Sequence, residues 1–144
     1  SNLRISTLSF ILGKVVPYVG TSGLRYEEVT PTRVVVSIRN RRPVQNHIKG
    51  VHAAAMALLA ETATGFVIGV NLSDEKLPLI KSLHVDYKRR TVGDMRAVAS
   101  LTAEQVAMIH ASHKGELLVP VTVTDESGEE PIQCQMRWAW VSKK

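Results

Sequence analysis

The stretch HIKGVHAAAMALLAETATGFVIGV, His47 to Val70, decides the fold. From Val51 onward it is almost wholly apolar and small-sided, and Glu61 is its one acid. Ala53 to Ala60 is dense in strong helix formers. A helix that is apolar all round is expected to be buried. At about 20 residues the run approaches membrane-spanning length. However, His52, Glu61, Thr62 and Thr64 interrupt it, and its flanks alternate as strands do. The expectation is a long central helix of a globular domain, wrapped by sheet.

Helical geometry selects which residues meet. At about 100° per residue, Ala54, Ala57, Leu58, Gly65 and Ile68 fall on or near the face of Glu61. Most are small, so a ligand or another chain can approach closely there. His52 falls about 180° from Glu61 and shares its side with Leu59, Ala63, Phe66 and Val70, which reads as core. A direct His52–Glu61 pair on one straight helix is excluded. A carboxylate in an apolar helix is costly unless it is paired, solvated by a cleft or protonated. The ordinary outcome is a bond to a neighbouring backbone or side chain.

Outward from this stretch, the chain reads as strands. Leu24–Val29 and Thr32–Arg39 form a hairpin about Thr30-Pro31. Asn40–Gly50 is a polar loop carrying Asn46 and His47. Leu79–Thr91 is a long strand with Leu83, Val85 and Tyr87 on one face. Met95–Leu101 returns after a turn at Gly93-Asp94. Thr102 to Gln105 has capping-box spacing and opens a short helix through Ala111. Glu116–Thr124 is one strand, Asp125–Pro131 an acidic turn, and Ile132, Cys134, Met136, Trp138 and Trp140 line one face of the last strand. Tryptophans at period two fit core or subunit packing better than a ligand box. At the other end, Leu8, Ile11, Leu12, Val15 and Val16 predict a short amphipathic helix closed by Pro17.

The 144 residues fit one domain, 1–144, with no internal repeat or linker. A single cysteine, Cys134, rules out an intramolecular disulfide and fits a reducing compartment. No His/Cys cluster suggests a metal, and no cofactor is expected. The pattern of a signal peptide is missing, so the expected location is cytoplasmic, with no membrane partner. The net charge of +5 raises nucleic-acid binding. Yet the basic residues form two short clusters, Arg39-Arg41-Arg42 and Lys88-Arg89-Arg90, and aromatics are few. The expectation is no nucleic acid; a solvated face or an anionic small molecule explains such clusters.

The spacing Asn46, His52-Ala53-Ala54 and then Glu61 resembles the hotdog-fold acyl-CoA thioesterases. It is most similar to the phenylacetyl-CoA-type and tetrameric thioesterase-like branch. That branch carries His-Gly-Gly six residues after its Asn, and an acid nine after the His. Ala53-Ala54 replace the glycines here, and Glu61 replaces the commoner Asp. The resemblance implies an α+β hotdog fold, an antiparallel sheet wrapped around a long central helix, acting as a homodimer or dimer of dimers on acyl-CoA. It implies catalytic roles for Glu61, Asn46 and His52, with Glu61 as base or nucleophile. Ala53, Ala54, Thr64 and Gly65 would bind the thioester and its oxyanion, and Lys88, Arg89 and Arg90 the CoA phosphates. The first alternative is a hotdog hydratase or dehydratase, because His47 stands fourteen residues before Glu61 as in that branch. The second is a hotdog protein that binds acyl-CoA without catalysis.

Overall fold

The structure, a computed structural model, describes residues 23–39 and 53–143. The expected N-terminal helix, the 40–50 loop with Asn46 and His47, His52, Arg41 and Arg42 lie outside the described residues. The elements run β1 (Arg25–Val29), β2 (Arg33–Ile38), α1 (Ala53–Gly69), β3 (Lys76–Tyr87), β4 (Met95–Ser100), α2 (Ala103–Ala111), β5 (Gly115–Val119), β6 (Val121–Asp125) and β7 (Ile132–Ser142).

All strand pairings are antiparallel. One sheet has the order β1-β2-β4-β6 and the other β3-β7-β5. The expected single strand over 116–124 is two strands, and Pro120 is the cause. Proline has no N–H for a ladder and confines its own φ. At this break the chain stops pairing with β7 and begins pairing with β4, so one bent segment joins the two sheets.

The sheet face that receives α1 is built by alternation. Val34, Val36 and Ile38 on β2 and Ala97 and Ala99 on β4 are fully buried. The alanines on β4 leave room for a helix to lie close. α1 presents Ala55, Leu59, Ala60, Ala63, Val67 and Ile68 to this core. Its opposite side is different. Ala53 and Ala54 are exposed, and Ala57, Leu58, Glu61, Thr62, Gly65 and Phe66 are only half-buried. Among the described residues, the helix is therefore not enclosed all round. Ile68, which ideal geometry puts near Glu61, is fully buried, so the open face closes toward the C-terminal end.

α2 begins as expected. Thr102 Oγ1 accepts from the Gln105 amide at 3.1 Å, and Gln105 Oε1 accepts from the Thr102 amide at 2.9 Å. β3 starts earlier than expected and admits Pro78, which an edge strand tolerates. The register shifts between Ile80 and Ser82, a bulge at Lys81. Beyond it, Leu83, Val85 and Tyr87 pair with Met136, Cys134 and Ile132 and so share the face of β7 that carries its core residues. β3 ends its sheet; Leu77, Leu79, Leu83 and Tyr87 are exposed. Among the described residues, no helix is long and apolar enough to cross a membrane.

The turn after β6 is tied by a buried carboxylate. Asp125 accepts from the Val92 amide at 3.0 Å and from the amide and hydroxyl of Ser127. Burial pushes its carboxyl upward, but hydrogen bonds from the Ser127 side chain and from the Val92, Ser127 and Glu129 backbone outweigh this and hold it below its ordinary value. A lowered folded value stabilises the folded chain fully above the unfolded carboxylate value of about 3.9. That contribution disappears as pH falls through the folded value. Asp125→Asn should cost about 1–3 kcal/mol at neutral pH, the scale of hydrogen bonds to a charged group. Urea unfolding should show the gap to the parent closing as pH drops through the carboxylate range; a gap independent of pH would contradict this assignment.

Candidate functional site

Glu61 lies midway along the open face of α1. Its carboxylate is half-buried and has no hydrogen-bond or ion-pair partner among the described residues. The other residues of that face are alanine, leucine, threonine, glycine and phenylalanine, so Glu61 is its one titratable group among the described residues. An unpaired carboxylate is tolerated there because water still reaches it. On the opposite stripe it would have to be protonated or paired.

Two hydrogen bonds fasten α1 to the β3-β7 side. At its beginning, the Tyr87 hydroxyl donates to the Ala53 carbonyl at 3.2 Å. Burial, with the Cys134 sulfur as the lesser cause, raises the Tyr87 phenol further, so the hydroxyl keeps its proton. One turn past Glu61, Trp138 Nε1 donates to Thr64 Oγ1 at 2.8 Å, and Thr64 Oγ1 donates to the Ala60 carbonyl at 2.8 Å. Thr64 is fully buried. Its one proton and an acceptor lone pair are occupied by the protein. Gly65 lies directly under the Trp138 indole: a Cβ there would meet Cη2 and Cζ2 at 2.6 Å. Thr64 and Gly65, expected to bind the substrate, seat a tryptophan: the hydroxyl is engaged within the protein and the indole covers the glycine.

The basic segment Lys88-Arg89-Arg90 follows Tyr87 directly, so it begins beside the N-terminal end of α1. Its backbone is held by the β6–β7 turn, with the Lys88 and Arg89 amides donating to the Pro131 carbonyl at 2.8 and 3.2 Å. All three side chains are exposed. Arg89 pairs with Glu129 at 3.4 Å, a surface contact of about 0–1 kcal/mol that a phosphate can replace. Lys88 and Arg90 have no ion pair among the described residues. By contrast, Arg33, Arg96 and Arg137 are paired to Glu28, Glu27 and Glu116. The strand expected to run to Thr91 ends at Tyr87, so the three residues follow β3 and do not end it; Arg39, of the rival cluster, is exposed after β2.

Other groups are accounted for by packing. Burial pushes the Cys134 thiol up to about 11, so it is protonated at neutral pH and unreactive. Trp140 is fully buried and donates to the Ser112 carbonyl at 3.1 Å. A cleft of about 400 Å³ lies at the far end of α1, lined by Asn71, Lys76 and His110 among others. Asn71, Lys76 and His110 are already engaged. Asn71 Nδ2 donates to the Pro31 and Val67 carbonyls at 2.8 Å each, which leaves Oδ1 to accept from His110 Nε2 at 3.3 Å. Lys76 donates to the Ile109 carbonyl. The cleft caps the helix and has no part in the Glu61 face. Among the described residues, no group of three His, Cys, Asp or Glu side chains could hold a metal ion.

Tyr87 and Trp138 border the Glu61 face, which sequence reasoning missed. Both were legible as strand residues on one face of the sheet. That each reaches a particular turn of α1 depends on how β3 and β7 register against the helix, and no local pattern carries that.

A family model described as a domain of unknown function (DUF4442) matches residues 5–141. No curated protein matches the chain. Among solved structures, a protein of unknown function from Pseudomonas aeruginosa, described as a probable thioesterase, is 25% identical with a TM-score of 0.86 and 95% of each chain covered. A thioesterase family protein from Silicibacter pomeroyi is 14% identical with a TM-score of 0.74, covering 96% of this chain and 98% of its own. A thioesterase from Haemophilus influenzae is 11% identical with a TM-score of 0.74, covering 96% and 90%. The fold is α+β and hotdog-like, and its structural neighbours include thioesterases.

The seating of the indole on Gly65 gives a test that needs no substrate. Gly65→Ala forces the Trp138 ring off the helix and should cost about 1–3 kcal/mol, the usual scale of overpacking. Thermal unfolding with a shifted indole emission should report it; a variant as stable as the parent with unchanged emission would contradict the packing described.

Proposed function

This chain belongs to the DUF4442 family, and we propose that it is an acyl-CoA thioesterase with Glu61 as its catalytic carboxylate. The observation that carries this reading is Glu61, half-buried and unpartnered among the described residues, on an apolar helix face that those residues leave partly open. The probable thioesterase from Pseudomonas aeruginosa supports it. Within the hotdog thioesterases, the spacing of Asn46, His52 and Glu61 favours the phenylacetyl-CoA-type branch. Asn46 and His52 are carried by that resemblance and lie outside the described residues.

In this reading Glu61 removes a proton from water as it attacks the thioester carbon, or attacks that carbon itself to give a mixed anhydride that water then opens. The C–S bond breaks, the CoA thiolate takes up a proton, and the acyl group leaves as the free acid. The oxyanion formed on the way takes its donors from a second chain, because Ala53 and Ala54, at the positive end of this helix's dipole, lie about 10–12 Å along the axis from Glu61. Both side chains are methyl groups and leave the backbone approachable. Ala53 and Glu61 are about 12 Å apart along the axis, so a CoA with its phosphates at Lys88, Arg89 and Arg90 extends along α1 with its thioester toward Glu61. A second copy of the chain covers the open face. The free edge of β3 and its exposed Leu77, Leu79 and Leu83 suit such a contact.

Release of free thiol across a panel of acyl-CoAs tests the activity. Glu61→Gln keeps the shape and removes the basic charge, so kcat should fall by roughly 10²-fold or more while the melting temperature holds. No thiol from any acyl-CoA, or a Gln variant as fast as the parent, sinks the assignment. Neutralising Lys88, Arg89 and Arg90 together should raise KM more than it lowers kcat, because contacts remote from the thioester are alike in ground and transition states. Parent binding should also weaken with added salt. CoA affinity and salt dependence unchanged in the triple variant would remove this segment from the site.

A further inference from the structure

We infer that Trp138 is the end wall of the acyl site and limits this chain to short acyl groups. This rests on the thioesterase reading of Glu61 and goes beyond it to the substrate. Gly65 is four residues after Glu61, so it lies on nearly the same face and about 6 Å further along the axis. The six-membered ring of the Trp138 indole sits on that glycine so closely that a methyl group could not be added between them. Its position is fixed twice over. Nε1–H is held by Thr64, and Thr64 is held by the Ala60 carbonyl. Ile80, paired with Trp138 across the β3-β7 ladder, stands beside it on the same face of the sheet. One turn further on, the helix face is closed by the core, with Ile68 fully buried.

The direction of the substrate follows from the two ends. The basic segment lies by Ala53, at the beginning of α1, and Trp138 lies past Glu61 toward its end. With the nucleotide at the first and the thioester at Glu61, the acyl group continues toward Gly65 and meets the indole. About 6 Å of axis accommodates roughly four to six carbons or one aromatic ring. A longer chain would have to displace an indole held by a buried hydrogen bond. Nothing local in the sequence marks this: Trp138 is one of two alternate tryptophans on β7, and its neighbour Trp140 is fully enclosed in the core.

Two variants grade the wall. Trp138→Phe keeps a ring over Gly65, and Trp138→Leu removes it. The measured quantity is the ratio of kcat/KM for decanoyl-CoA to that for butyryl-CoA, with thermal melts confirming that each variant folds. The parent should favour the short substrate. The ratio should rise at least about tenfold in Trp138→Leu, the scale of a few methylenes gaining or losing a pocket, and less in Trp138→Phe. A parent that cleaves both substrates equally, or a folded Leu variant with the parent's ratio, overturns the wall. Calorimetric binding of non-hydrolysable S-alkyl-CoA thioethers of the same lengths separates this from the hydrolase reading. If no thiol is released but long-chain affinity still rises in Trp138→Leu, the wall stands and hydrolysis fails. If thioethers of every length bind the parent and the Leu variant alike, or bind neither, the wall is wrong.

Discussion

One helix is apolar on both sides, and among the described residues only one of them is fully buried. Everything else in the structure adapts to that imbalance. The covered stripe of α1 carries Leu59, Val67 and Ile68, each adding about 1.5–3 kcal/mol when fully buried. β2 and β4 answer it with alternating valines and alanines, so the helix lies flat on a sheet with little relief. The uncovered stripe is where a carboxylate can exist. Glu61 on the covered side would be a buried charge without a partner, a placement that costs several kcal/mol or forces protonation. On the open side water solvates it until something else closes the face.

The second sheet sets the shape of that open side. Tyr87 reaches Ala53 at one end of α1 and Trp138 reaches Thr64 past the middle. Between these two contacts, the described residues leave Ala54 exposed and Ala57 and the acid Glu61 half-buried. The same strands carry the charge: the residues just after Tyr87 are Lys88, Arg89 and Arg90, and the Asp125 turn clamps the segment that follows them. Packing, acid and cations therefore lie along one line. That line runs from a polyanion-compatible end, past a carboxylate, to an aromatic stop. The order suits a molecule with a charged carrier at one end and a reactive bond at its middle.

Much of this was legible in local patterns. The β1–β2 hairpin, the alternation of β7, the capping box at Thr102 and the isolation of Glu61 follow from periodicity and from the cost of a charge among apolar residues. What was missed depends on contacts distant in sequence. Pro120 signals a break in a strand, but that the chain changes sheets there is seen only in the pairing. Thr64 and Gly65 look available because a helix wheel has no sheet opposite it. Once Trp138 is in place, the hydroxyl is engaged and the glycine is explained by the ring above it. All-round burial of the helix is not seen among the described residues, for a related reason. Apolar character shows that a surface leaves water, but not whether its own chain or another supplies the cover.

That last point is the claim on which the account turns: the Glu61 face of α1 is completed by a second copy of this chain. Sedimentation velocity across the low micromolar range tests it most directly. The account predicts a dimer, or an even-numbered assembly built from dimers, that persists on dilution through that range. A folded monomer, with native circular dichroism and a cooperative melt at the same concentrations, would contradict it.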